Sequence, residues 1–189
     1  MIEREVKLSF PSADDARRAI LATGAVASAA RRLQDDALYD TTDGLLRTKG
    51  CIVRIRTERW SDGAETSTLT LKGPVQAGPM KMREEHETRV EAGDALRRVL
   101  DALELRPWFR YQKYREEFSA ANLVVAIDET PVGTFVELEG DEGAIYVMTR
   151  ALGRSDEDFI IDSYYRLFQS RRQQFGLVGP HMVFPPCPP

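Results

Sequence analysis

Charged and apolar residues alternate along several short segments of this chain, and this alternation limits the possible folds more than any other feature. At the start of the chain, Glu3, Glu5 and Lys7 alternate with Val6 and Leu8. Residues two apart share one face of a β-strand, so each segment predicts a strand with one charged and one apolar face. Short turns and few helices between the segments favour antiparallel pairing and an α+β fold.

The predicted elements cover most of the chain. Strands are predicted over residues 2–10, 36–40, 51–58, 66–72, 81–90, 110–119, 123–128 and 134–139. Capping residues predict helices over 12–24, 94–103 and 141–153, and a final helix that begins at Ser155 and runs towards Gly176.

Composition excludes several classes of protein. The chain has 189 residues with 26 basic and 30 acidic side chains, which fits one domain over 1–176 and gives no basic footprint for nucleic acid. No apolar run reaches the roughly 18 residues that a membrane helix needs. The two cysteines, Cys51 and Cys187, favour a reduced, cytoplasmic protein. The proline-rich tail over 177–189 is expected to be disordered.

Two structures fit the charged strand faces. They are either the solvent side of an open sheet or the lumen of a closed one. Nearly all of these positions are Glu, Lys or Arg rather than Ser, Thr or Gln, which favours the lumen. A lumen with both signs of charge suits a divalent metal together with a polyanion. Mg²⁺ prefers carboxylate and phosphate oxygens, and arginine offers a planar fork to phosphate.

Short motifs in a fixed order resemble those of one family. Residues 3–7, EREVK, resemble the ExExK signature of the CYTH superfamily, also called triphosphate tunnel metalloenzymes. The motifs that follow in order are DxxYDT at 36–41, RxR at Arg54 and Arg56, Lys72, RxExE at 83–87, KxR at Lys113 and Arg115, Asp128, and GxFxExE at 133–139. The similarity covers residues 1 to 170.

The resemblance implies a closed eight-stranded antiparallel β tunnel (a barrel) with helices packed outside, and a linear triphosphate bound with Mg²⁺ or Mn²⁺. The implied metal-binding residues are Glu3, Glu5, Asp128, Glu137 and Glu139. The implied phosphate-binding residues are Lys7, Arg54, Arg56, Lys72, Arg83, Lys113 and Arg115. The implied catalytic residues are Glu85, Glu87 and Lys72. One departure is Asp162, which stands before Ser163-Tyr164 where many members carry a basic residue.

Three functions follow from these expectations. The first is a metal-dependent hydrolase of inorganic tripolyphosphate, thiamine triphosphate or a nucleoside triphosphate. The second is an adenylyl cyclase of the class IV type, which shares the tunnel. The third is a polyphosphate-binding module without catalysis. In each case the partner is a small-molecule triphosphate, and the protein is expected to be a monomer or a homodimer that contacts neither nucleic acid nor membrane.

Overall fold

The computed structural model describes residues 2–185, which form eight strands and five α-helices. The strands are β1 (Ile2–Phe10), β2 (Val26–Asp40), β3 (Ile52–Arg59), β4 (Glu65–Lys72), β5 (Lys81–Val90), β6 (Arg106–Ala120), β7 (Leu123–Thr130) and β8 (Gly133–Gly140). The helices are α1 (Ala13–Ala22), α2 (Leu45–Thr48), α3 (Gly93–Ala102), α4 (Glu142–Ala151) and α5 (Tyr164–Arg171).

The strands close into a ring in the order β1-β5-β4-β3-β2-β6-β7-β8, and every pairing is antiparallel. Closure occurs at β1, where Glu5 lies opposite Lys81 of β5 on one side and Glu139 of β8 on the other. The predicted α+β fold with a closed antiparallel tunnel is therefore confirmed.

Most of the hydrophobic core lies outside the ring, because the apolar strand faces point outward towards the helices. One cluster packs Ile20 of α1 and Ile145 of α4 on β1, β7 and β8. A second packs Leu100 of α3 on Ile55. A third cluster differs, because it packs Phe168 of α5 on Phe109 of β6 and Phe135 of β8, which point into the ring. This arrangement leaves the charged strand faces pointing into the ring.

The predicted final helix is wrong in its extent. Ser155 and Asp158 form the expected capping box, but it caps only a three-residue 3-10 helix at Asp156–Asp158. The next residues are extended, and Ile160 exchanges backbone hydrogen bonds of 3.0 and 2.9 Å with Lys7. This bridge forms because β1 pairs with β5 only through residues 2–5. Helix α5 begins only at Tyr164, where Ser163 caps it.

Strand β2 begins ten residues earlier than predicted. Its first half contains irregular pairings, with register shifts between Ala27 and Ala29 and between Ala29 and Arg32. Such shifts break the strict alternation by which the other strands were identified.

The tail is docked as far as the structure describes it. Met182 is fully buried, and its backbone is hydrogen-bonded to Arg110 and Gln112 of β6. The prediction of a disordered tail does not describe residues 177–185, because the Met182 side chain fills the cluster under α5. Residues 186–189, including Cys187, lie outside the described residues. Within 2–185, none of the helices has the length and apolar character needed to cross a membrane.

Candidate functional site

The ring encloses a cavity of about 1350 Å³. Glu5, Arg54, Lys72 and Glu137 all line it, and each is less than a tenth exposed. The charged strand faces therefore point into the lumen, as the alternation and the family resemblance together predicted.

The charges of the cavity wall balance. Among the described residues, eleven cationic and nine acidic side chains line the cavity. Two more carboxylates, Asp36 and Asp128, are completely buried and contact its cations. The formal charges therefore cancel, and a polyanion that enters must displace existing ion pairs or bring cations with it.

Lys72 joins two of the predicted acidic residues. Its Nζ donates a 2.8 Å hydrogen bond to Glu3 and lies 2.7 Å from Glu85. Burial, together with a hydrogen bond to Glu85, raises the pKa of Glu3 to about 8. Although burial opposes it, the hydrogen bond from Glu3 and the charge of Lys72 lower the pKa of Glu85 to about 2. At neutral pH, Glu3 thus holds the proton and Glu85 is ionised.

A second group of ion pairs surrounds Lys7. Its Nζ lies 3.3 Å from Glu5 and 3.2 Å from Glu137. Glu5 also pairs with Lys81. Burial opposes ionisation of Glu5, but Lys7 and Lys81 together hold its pKa well below the usual range. The sequence analysis missed Lys81, although it stands two residues before Arg83 and therefore shares the lumenal face of β5.

Asp128 lies among cations rather than with the other predicted metal ligands. It accepts hydrogen bonds of 2.7 Å from Lys113, 2.7 and 2.6 Å from Arg115, and 2.5 Å from the hydroxyl of Tyr164. Arg115 also contacts Glu137. Burial and the neighbouring Arg115 lower the pKa of Lys113 to about 8. Asp128 therefore orients Lys113 and Arg115, two of the predicted phosphate-binding residues.

Arg54 and Arg56 share a carboxylate that the sequence analysis gave no role. The Nε atom of Arg56 lies 2.9 Å and that of Arg54 lies 3.4 Å from Asp36. Asp36 opens the DxxYDT segment, which is the sequence signal that could have identified it. Arg54 also donates to Thr70 at 3.1 Å and to Glu87 at 3.4 Å. Because the Glu87 side chain is half exposed, it lies at the rim of the tunnel.

Arg83 differs from these paired cations. The residue is 5% exposed, yet its Nε and one terminal nitrogen have no hydrogen-bond partner among the described residues. A buried donor without a partner costs free energy. An anion that enters the lumen would remove this cost by accepting hydrogen bonds from the guanidinium.

The residues that fit a divalent metal are Glu3, Glu5 and Glu139. Glu5 and Glu139 are opposite each other across β1 and β8, and Glu3 is the next lumenal residue of β1. Burial and the charges of Glu137 and Glu5 raise the pKa of Glu139. No three Asp, Glu, His or Cys side chains within 2–185 converge into a preformed cage. Mg²⁺ needs no such cage, since it commonly binds through one or two carboxylates, waters and substrate phosphate.

Helix α5 contributes an aromatic residue instead of a basic one. Asp162 faces Arg166 at 3.8 Å on the outside of the protein, and its side chain is half exposed. Tyr164 points inward, and its ring centroid lies 4.8 Å from the Nζ of Lys113 and 5.1 Å from that of Lys7. The Ser-Tyr pair of the sequence was the signal for this residue.

Solved structures share the fold. A protein of Pyrococcus horikoshii OT3 is 23% identical, with a TM-score of 0.77 over 90% of this chain and 99% of its own. A putative adenylate cyclase of Vibrio parahaemolyticus is 18% identical, with a TM-score of 0.76 over 89% and 98%. A Hippeastrum protein, described as a putative adenylyl cyclase with a dominant triphosphatase activity, is 19% identical, with a TM-score of 0.64 over 89% and 95%.

The sequence comparisons identify the family. No curated protein matches this chain significantly. The family model of the CYTH domain, however, matches residues 1–146, which is most of the chain. The chain therefore belongs to the CYTH domain family.

Proposed function

We propose that this protein is a divalent-metal-dependent triphosphatase, which binds a linear triphosphate inside the tunnel and releases its terminal phosphate. CYTH family members are triphosphatases or adenylyl cyclases and are generally dependent on divalent metal. The observation that carries the proposal is Arg83, a buried guanidinium with two nitrogens that have no hydrogen-bond partner among residues 2–185. Lys7, Lys72 and Arg56 of the same lumen are, by contrast, ion-paired.

The charge balance of the lumen supports the metal requirement. A triphosphate brings several negative charges into a wall whose own charges cancel, so binding is favourable only if cations accompany it. Glu3, Glu5 and Glu139 would hold a divalent ion at the acidic side. Once bound, such an ion polarises phosphoryl oxygens and offsets the charge that develops on them.

The remaining chemistry falls to the side chains. Phosphoryl transfer needs mainly positioning and charge stabilisation, which planar guanidinium groups provide well. Arg54, Arg56 and Arg83 would hold the phosphate chain from one side and Arg115 from the other. Glu85 is ionised and inside the lumen, whereas Glu87 is at the rim. Of these two, Glu85 is therefore the better placed to orient the attacking water.

A cyclase is the second candidate, because three structural neighbours are named putative adenylate or adenylyl cyclases. In that reaction the ribose 3′-hydroxyl attacks the α-phosphorus and pyrophosphate leaves. The same arginines would serve, with the α-phosphate instead of the γ-phosphate at the reacting position.

The test is incubation with tripolyphosphate, ATP and thiamine triphosphate, each with Mg²⁺ or Mn²⁺. Orthophosphate release supports the triphosphatase. Cyclic AMP with pyrophosphate supports the cyclase and contradicts the main proposal, and binding without product indicates a non-catalytic module. Arg83→Met should lose most of the turnover. Arg89→Met is the matched control, since Arg89 is an exposed residue of the same strand.

A further inference from the structure

Next to the phosphate-binding arginines, the lumen contains a group of hydrogen-bond acceptors. Glu58 stands two residues beyond Arg56 on β3, and Glu117 stands two residues beyond Arg115 on β6. Both pairs therefore share the lumenal face of their strands. A phosphate held between Arg56 and Arg115 would have these carboxylates beside it.

Arg32 holds the two carboxylates in place. The residue is 7% exposed, and its Nε donates to Glu58 at 2.5 Å while a terminal nitrogen donates to Glu117 at 2.9 Å. Each of these hydrogen bonds is accepted by the Oε1 atom of its carboxylate. The Oε2 atoms accept no hydrogen bond from the described residues, so each carboxylate keeps an acceptor.

Gln34 adds a buried acceptor without a partner. The residue lines the cavity and is 1% exposed. Its amide nitrogen donates to Glu58 at 2.7 Å, which fixes the orientation of the amide, because a carboxylate accepts only from the nitrogen. The amide oxygen is left buried with no donor among the described residues. Buried polar atoms are rarely unpaired, so this oxygen points to a ligand that supplies a donor.

We propose that Gln34, Glu58 and Glu117 form a subsite for the hydroxyl groups of a sugar attached to the triphosphate. This inference rests on the proposed function and narrows its substrate to nucleoside triphosphates. Arg32 is a positioning residue, because it acts through the two carboxylates.

Charge and chemistry exclude the other ligands. The oxygens of a further phosphate group are acceptors, as are the free oxygens of Gln34, Glu58 and Glu117. Their repulsion disfavours the binding of longer polyphosphates. A thiazolium ring carries no N–H or O–H group, so it would leave the buried amide oxygen of Gln34 without a donor. A neutral group that donates hydrogen bonds, such as a ribose, suits all three acceptors.

The experiment compares the binding of methylene-bridged analogues of ATP and of tripolyphosphate by calorimetry with Mg²⁺. Gln34→Met keeps the length of the side chain and removes the acceptor. This substitution should weaken the affinity for the ATP analogue roughly three- to tenfold, which is the loss expected for one hydrogen bond. The affinity for the tripolyphosphate analogue should change by less than about twofold. A 2′,3′-dideoxy form of the ATP analogue should bind wild type and Gln34→Met equally.

Glu117→Gln serves as a second variant if Gln34→Met does not fold, and should also weaken the ATP analogue selectively. Gln76→Met, at an exposed glutamine, is the matched control and should change neither affinity. Equal weakening of both analogues, or none, would overturn the subsite. Selective weakening in a protein that hydrolyses no triphosphate would support the subsite and contradict only the triphosphatase proposal.

Discussion

Lys72 donates a 2.8 Å hydrogen bond to Glu3 across the lumen, so a lysine expected to bind phosphate is held by a glutamate expected to bind metal. Lys7, which was also expected to bind phosphate, likewise pairs with Glu5, which was expected to bind metal. In this state the lumen is neutralised by its own side chains. A metal that binds Glu3 and Glu5 would remove one of the two carboxylate partners of each lysine, so the metal and the phosphate should bind with positive coupling.

Metal affinity should rise with pH up to about 8. In the free protein, Glu3 keeps its proton until pH rises through its pKa of about 8. A metal can bind this carboxylate only by displacing the proton, so the apparent affinity should fall by up to about tenfold per pH unit below 8 and level off above it. Calorimetry with Mn²⁺ at pH 6.5 and 8.5, in buffers of different ionisation enthalpy, measures both the affinity and the proton release. Equal affinities without proton release would contradict the role of Glu3.

Glu3→Gln should stabilise the metal-free protein, and more at high pH than at low pH. The folded-state pKa of Glu3 is raised from 4.5 to about 8, so ionising it in the folded state is unfavourable. Glu3 therefore lowers the free energy of unfolding by an amount that grows as pH rises from 4.5 to about 8. The substitution removes this loss of stability. We expect a larger increase in Tm at pH 8.5 than at pH 5. An increase that does not depend on pH would contradict this.

Arg83→Met should raise stability while it weakens substrate binding. Each unpaired buried donor costs about 1–3 kcal/mol, so replacing the guanidinium by a side chain of similar length should raise Tm. Loss of a charge-assisted phosphate contact should cost about 1.5–3 kcal/mol, or one to two decades in kcat/KM. Thermal denaturation and steady-state kinetics on the same samples test the pair of effects. A fall in Tm would show that Arg83 has a partner in solution, and an unchanged kcat/KM would show that it does not contact the substrate.

Asp128→Asn and Glu139→Gln should fail in different ways. Asp128 neutralises Lys113 and Arg115 in the fully buried wall, and removing its charge should destabilise the fold by about 3–5 kcal/mol. It should leave metal affinity without phosphate unchanged. Glu139→Gln should weaken the affinity for the metal and leave Tm unchanged or raise it. Urea denaturation and metal calorimetry separate the two variants. Loss of metal affinity in folded Asp128→Asn would return Asp128 to the metal ligands, where the family resemblance placed it.

The strand patterns of the sequence predicted the strands of the ring, whereas their closure into a tunnel was implied by the family resemblance. The alternating charged side chains of β1, β3 and β8, such as Glu5, Arg54 and Glu137, could be assigned to one strand face from their positions alone. The start of β2 was missed because the run from Val26 to Ala30 has no alternation and contains bulges. The extended bridge at Ile160 was missed because its cause is an unpaired stretch of β1, far away in the sequence.

The site was predicted as a set of residues but not as a set of pairs. Alternation and motifs identify which side chains enter the lumen, but they cannot show that Asp128 belongs with Lys113, or that Arg83 lacks a partner. These relationships depend on the register between strands, which the sequence does not contain. Asp36, Lys81 and Tyr164 each stood within a recognised motif or alternation and could have been assigned to the lumen. Gln34 was not assigned, because it lies two residues before Asp36, where the predicted strand began.

The most direct test of the metal and triphosphate site is a calorimetric titration of the protein with tripolyphosphate, in Mn²⁺ and in excess EDTA. Because the metal would take one carboxylate partner from Lys7 and one from Lys72, we expect the affinity for tripolyphosphate to rise by at least about tenfold with Mn²⁺, a coupling of at least about 1.4 kcal/mol. Glu139→Gln should reduce this coupling, whereas Glu142→Gln, on the exposed start of α4, should not. Equal affinities in Mn²⁺ and EDTA would contradict the division of the lumen into a metal side and a phosphate side.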